Sequence, residues 1–343
     1  MRGSDALWSA VDELVDRAGG TSDLRAHGLH LLAAARLRAA GDSVPDELIV
    51  EERRAAVATL AAPVLLQRAR AAYDGSLMVL KGPEVALRYP DTALRPFKDV
   101  DVLADDAEAA QRALLAAGFQ EIEPTEDGHH HLYPLAWPGL PIALEVHRAP
   151  HWVDGLNPPP VPELFDAAEP SRLGVAGVLA PAPHHHALLL AVHAWAHEPL
   201  RRLVELADVA AMTRETDVSA VRKLAGRWRC ERVWHATERA VDALWYGAPH
   251  PLALRTWARH LCDARERTIL ESRVQRLAGP AWGLSPHRVP RAVFRASAEH
   301  LRRQEGEPWR AKLGRTRGLV RDAGRPRSEH DQPLGRQSIE GTG

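Results

Sequence analysis

The stretch Asp99-Val100-Asp101-Val102-Leu103 constrains this chain more than any other. On a β-strand successive side chains alternate faces, so both carboxylates share one face and both valines the other. The valine face needs an apolar core. The carboxylate face needs a different setting, because adjacent carboxylates repel and are costly to bury without a counter-charge. Such a strand belongs inside a sheet, with a core on one side and a polar cleft on the other. A divalent cation in the cleft resolves the repulsion. Mg²⁺ prefers oxygen ligands, typically one or two carboxylates with phosphate oxygens and water.

A third carboxylate follows the same parity. In Ile142-Ala-Leu-Glu-Val-His, the apolar Ile142, Leu144 and Val146 alternate with Ala143, Glu145 and His147. Set beside the Asp strand, this segment adds Glu145 to the acidic face. Carboxylates on neighbouring strands can hold two cations about 3.5–4 Å apart. Upstream, the apolar run Ser76–Leu80 ends in Lys81-Gly82-Pro83, the pattern of a strand passing into a short helix over 83–89. Gly82 permits close backbone approach, the helix start favours an anion, and Lys81 adds a point charge suited to a phosphate. This lysine is a departure from local habit, because the chain holds only Lys81, Lys98, Lys223 and Lys312 against 40 arginines. Arg95, on the approach to Asp99, is placed to reach a phosphate or to form an ion pair that steadies the acidic strand.

The fold class expected is α+β: a small mixed sheet with flanking helices, plus N-terminal and C-terminal helical regions. Residues 1–75 read as the N-terminal helical region, with a break at Pro63. Residues 76–153 read as the α/β core. Within it Asp105–Ala117 is a helix closed by Gly118, Phe119–Glu123 a strand, and 131–137 pairs with 141–147 as a hairpin. Residues 154–182, with Asn157-Pro158-Pro159-Pro160, read as a Pro/Gly-rich linker or surface loop. A C-terminal helical domain over 183–305 and a disordered tail over 310–343 complete the chain.

Composition removes several classes. A net charge of −1 excludes a broadly basic nucleic-acid surface, so there is no strong sign of DNA binding. No apolar run approaches the ~18 residues of a membrane span. The N-terminus lacks a cationic start followed by an apolar stretch. Cys230 and Cys262 alone make neither a disulfide framework nor a zinc set. The expected location is the cytoplasm, with no membrane partner.

The run Leu80-Lys81-Gly82, Arg95 and Asp99-Val100-Asp101-Val102-Leu103 resembles a bacterial nucleotidyltransferase family, a branch of the DNA polymerase beta-like nucleotidyltransferase superfamily. The resemblance is strongest over 76–150 and continues more weakly from His184 to Met212, through His193, His197, Arg202-Leu203 and Asp208. Lys81-Gly82 stands where the wider superfamily carries Gly-Ser, a replacement typical of this branch. The resemblance implies an enzyme that moves an NMP from an NTP, such as ATP, to an unidentified hydroxyl-type acceptor: a small molecule, a protein or an RNA. It implies two Mg²⁺ ions, with Mn²⁺ as a substitute, on Asp99, Asp101 and Glu145. Lys81, Gly82 and Arg95 are the expected donor-nucleotide contacts. One ion would activate the attacking hydroxyl, and the other would hold the triphosphate and offset charge on the leaving pyrophosphate.

Other residues carry weaker signals. His193 and His197 lie one turn apart on one helix face, a spacing that suits a metal. Ala194 stands where a zinc-protease helix needs Glu, so a packed pair or a cleft lining is the expectation. Asp208 is expected to pair with one of these histidines. His129, His130 and His131 read as a solvated turn, and Lys98 as a surface residue. Glu84 reads as a helix-start carboxylate outside the site. Trp137, Trp152 and Trp195 read as core residues rather than base-stacking ones. Two further functions use an Asp-x-Asp or a nucleotide cleft. A metal-dependent glycosyltransferase would hold a sugar nucleotide but leaves Lys81-Gly82 and Glu145 unused. A non-catalytic nucleotide-binding interaction protein would bind without turnover.

Overall fold

The computed structural model describes residues 4–122, 131–301, 310, 317–318 and 321–326. The first helices are α1 (Ser4–Arg17), α2 (Thr21–His27), α3 (His30–Ala40) and α4 (Asp46–Ala72). The α/β segment follows with β1 (Leu77–Val79), α5 (Pro83–Ala86), β2 (Asp99–Ala104), α6 (Ala107–Ala116), β3 (Gln120–Glu121), β4 (Leu135–Ala136) and β5 (Ala143–His147). Next come α7 (Val161–Asp166), β6 (Glu169–Pro170) and β7 (Val178–Ala180). Helices α8 (Pro183–His197), α9 (Leu203–Thr213), α10 (Val218–Arg227) and α11 (Glu231–Trp245) are followed by α12 (Leu252–Thr256), α13 (Arg259–Cys262), α14 (Ile269–Gly283) and α15 (Val289–Leu301).

The strands form one mixed seven-stranded sheet in the order β3-β4-β5-β2-β1-β7-β6, which puts the Asp strand at its centre. β2 runs antiparallel to β1 and parallel to β5. The expected hairpin is present, with Leu135 opposite Leu144 and Ala136 opposite Ala143. Alternation then decides what each face meets. Leu77, Val79, Val100, Val102, Leu144 and Val146 share one core with Leu65 and Leu66 of α4 and Leu114 of α6. Met78 and Leu103, of opposite parity, belong to a second core with α1, α3 and the helices from α8 to α13. The carboxylates of β2 have the parity of Leu103, so they face this helical layer. No described helix is long and apolar enough to cross a membrane.

Three local expectations differ from the structure. Helix α4 runs through Pro63 without a break. An interior proline costs about 3 kcal/mol, but the fully buried Leu65 and Leu66 beyond it each contribute about 2 kcal/mol. The Pro/Gly-rich segment 154–182 carries more than a loop: it holds α7, β6 and β7, and β7 pairs parallel with β1 through Leu77–Val178 and Met78–Leu179. Two of its three glycines serve the turn between β6 and β7, where Gly174 and Gly177 have φ of 75° and 77°. Lastly, part of the expected disordered tail is docked. The carbonyls of Arg325 and Ala323 accept the Ile269 and Leu270 N–H groups, which the first turn of α14 leaves without helical acceptors. Most of the remaining tail lies outside the described residues, as do His129 and His130.

Buried histidines clamp the helical layer. His27 Nε2 donates to the Arg265 carbonyl at 2.7 Å, and its Nδ1 accepts the Leu203 N–H at 3.4 Å. A carbonyl only accepts and an N–H only donates, so this ring must be neutral. Burial, first of all, lowers its pKa to about 4. An unfolded histidine takes its proton near pH 6.5. Between those values the unfolded chain binds the extra proton, so acid destabilises the fold. We expect His27 to account for about 2 kcal/mol of lost stability between pH 7 and pH 5. Urea denaturation should show a smaller loss over that interval for His27→Gln than for wild type. Equal losses would contradict the assignment.

Candidate active site

The acidic face is assembled by strand register. Asp101 pairs with Glu145, Asp99 with Ala143 and Leu103 with His147 across the parallel β2–β5 ladder. This places Asp101, Glu145 and His147 so that one ligand atom from each lies within 4.8 Å of the others. Asp99 lines the same cleft, of about 770 Å³, but stands outside that group. Lys81 enters from the turn after β1. Gly82 allows that turn: its φ is 65°, and a Cβ there would lie 3.1 Å from the Asp99 carbonyl oxygen. Only glycine meets both demands without strain. Helix α5 has four residues and opens on Pro83, so its dipole adds little to anion binding.

Asp101 is the pivot of the electrostatics. Its side chain is 1% exposed. Oδ1 lies 3.3 Å from Lys81 Nζ and 2.9 Å from His147 Nε2. Oδ2 is buried with no hydrogen-bond partner. Burial pushes this carboxyl up, but the Lys81 ammonium and then the His147 hydrogen bond outweigh it and hold its pKa well below the usual range. The neighbours show the reverse. Burial and the Asp101 charge raise Asp99, and burial with the charges of Asp101 and Asp99 raises Glu145. Lys81 is buried, which lowers its pKa, yet the carboxylates around it raise the net value. The site therefore carries crowded negative charge, which Lys81 at its centre and Lys98 and Arg95 nearby offset only in part, since Asp99 and Glu145 stay raised. An unpartnered carboxylate oxygen, further carboxylates and an imidazole are donors that suit a divalent cation.

Arg95 and Asp208 form the opposite wall. Arg95 Nε and Nη2 reach the Asp208 carboxylate at 3.0 Å and 2.7 Å, and the Tyr89 hydroxyl donates to Asp208 Oδ1 at 2.7 Å. Arg95 forms this ion pair while also lining the cleft. Asp208 is thus engaged by Arg95 and Tyr89 rather than by a histidine of α8. The reason is geometric: α9 turns Asp208 toward the loop that leads into β2, while His193 points to Lys81. Lys81 Nζ donates to His193 Nε2 at 3.2 Å. Glu84 is buried against Arg88 and Ser171 at 2.9 Å and 2.6 Å, away from this cleft. Lys98 is exposed, and Trp152 and Trp195 are buried.

Sequence reasoning did not assign His147, His151 or Glu205 to the cleft. His147 had a usable signal, since it shares parity with Glu145. His151 had none, because it joins the cleft from an irregular segment. Glu205 also lines the cleft. Its Oε2 is buried without a hydrogen-bond partner, and burial raises its pKa to about 7 despite Arg202 and Arg201.

A family model described as uncharacterised nucleotidyltransferase matches residues 22–245, a span that includes both strands of the acidic face and helices α8 and α9. This chain belongs to that nucleotidyltransferase family. No curated protein matches it.

The Arg95–Asp208 pair yields a stability prediction. Removing one member of a buried pair leaves an uncompensated charge and costs about 3–5 kcal/mol. Arg95→Ala should lower unfolding stability by about 3 kcal/mol, and Arg95→Ala with Asp208→Asn should recover part of that. Urea denaturation of the single and double variants measures the coupling, and a purely additive result would contradict it.

Proposed function

We propose that the cleft binds an NTP with divalent cations and transfers its NMP to a hydroxyl-type acceptor, with ATP among the donors. Asp99, Asp101 and Glu145 would hold two Mg²⁺ ions, for which Mn²⁺ would substitute, and His147 supports Asp101. Bound there, the cations would offset the carboxylate charge, hold the triphosphate and favour loss of the acceptor's proton. The chain's own groups act around them. Lys81, held between Asp101 and His193, supplies a positive charge on the acidic face, suited to a phosphate oxygen. Gly82 keeps the backbone low enough for close approach. Arg95, anchored on Asp208, fixes the segment that feeds Asp99 into β2. In the reaction the acceptor oxygen bonds to the α-phosphorus and pyrophosphate leaves. Positioning and electrostatics carry most of such a transfer. The cytoplasm, with its NTP pools, is the setting this reading favours.

The buried, unpartnered Oδ2 of Asp101 beside Glu145 carries this reading. A sugar-nucleotide site would leave Glu145 and Lys81 without a task, and the family membership supports nucleotidyl transfer.

The test is pyrophosphate release from each NTP with Mg²⁺ and pooled hydroxyl acceptors. We expect release with at least one NTP, its loss on chelation, and a drop of roughly 100-fold or more in Asp101→Asn. Glu145→Gln, at a less buried position, should show a comparable drop and guards against misfolding of the first variant. Full activity in both variants would overturn the assignment.

A further inference from the structure

Helix α8 and the segment after β5 bring a second group of donors to the cleft. His193 and His197 stand one turn apart on α8, and His151 faces them from the other side. One nitrogen from each lies within 4.8 Å of the others. The ring centroids are 5.5 Å apart for His151–His193, 4.4 Å for His151–His197 and 4.6 Å for His193–His197, all edge to face. We propose that these imidazoles form a binding site for a borderline transition-metal cation of the Zn²⁺ or Co²⁺ type, distinct from the oxygen-rich site on β2 and β5.

The donor set decides the class of ion. Mg²⁺ and Ca²⁺ require oxygen ligands, whereas imidazole suits Zn²⁺ and its neighbours in the transition series. Three protein nitrogens leave one tetrahedral position open, the composition of a zinc site that accepts water or substrate, and here it would open into the cleft. Tetrahedral bonds of ~2.1 Å set ligand nitrogens ~3.4 Å apart, so the observed group closes onto an ion by small side-chain rotations. Ligation needs neutral rings. Burial first, then neighbouring positive charge, lowers His151 to about 3 and keeps His193 well below its ordinary value. Lys81 links the two donor groups, resting on both His193 and Asp101. A cation on His193 Nε2 would displace the ammonium from that nitrogen and leave it on Asp101.

Titration of the full chain with Co²⁺ tests this by its visible d–d absorption. We expect a band that saturates near one ion per chain, with binding at least ~10-fold weaker in His197→Ala and in His151→Ala. His197 is exposed, so its substitution is mild for folding. Asp99→Asn and Glu145→Gln should retain the band. No band in the wild type would overturn the proposal. So would a band that survives in the His151→Ala/His197→Ala double variant, or one lost equally in the carboxylate variants.

Discussion

Asp101 sits at the centre of the sheet with one carboxylate oxygen shared by Lys81 and His147 and the other left without a hydrogen bond. A buried carboxylate is tolerated only where opposite charge or hydrogen bonds compensate it. Much of the architecture supplies that compensation. β1 must lie beside β2 to deliver Lys81, and β5 must lie on the other side, in parallel register, to deliver His147 and Glu145. Helix α8 must cover the acidic face to bring His193 to the lysine. The valines of the same strand meanwhile require α4 and α6 behind the sheet. One alternating strand thus fixes a layer on each side of itself.

The walls of the cleft are tied to this strand by separate contacts. Arg95 and Tyr89 grip Asp208 on α9, and His186 Nε2 donates to the Leu80 carbonyl at 2.8 Å, so α8 is held at the turn that carries Lys81. These ties make the cleft a junction between sheet and helices. Residues far apart in sequence, from Lys81 to Asp208, meet there. The family match spans the elements involved.

Much of this was legible in the residues. Period-two alternation in 99–103 and 142–147 identified the two strands and their acidic parity, because that pattern is written locally. The close backbone approach at Gly82 followed from its place between strand and helix, whereas its positive φ came only with the structure. What escaped depends on tertiary placement. Pro63 looked like a break because its cost is local, while the compensating burial of Leu65 and Leu66 is not. The glycines and prolines of 154–182 looked like a linker because punctuation residues mark turns without telling whether the turns join paired strands. Asp208 chose Arg95 over a histidine through the orientation of α9, which no spacing encodes. His151 came from an irregular segment, where no periodicity assigns a direction.

The central claim is that the acidic face is a cation-dependent nucleotide site. A thermal-melt matrix of the four NTPs, each with and without Mg²⁺, on wild type and on Asp99→Asn/Asp101→Asn tests it most directly. A ligand bound only by the folded state raises the melting temperature by mass action. The account predicts a rise of several degrees with at least one NTP, dependent on Mg²⁺ and absent from the variant. A rise that persists in the variant, or none with any NTP at millimolar concentration, would contradict it.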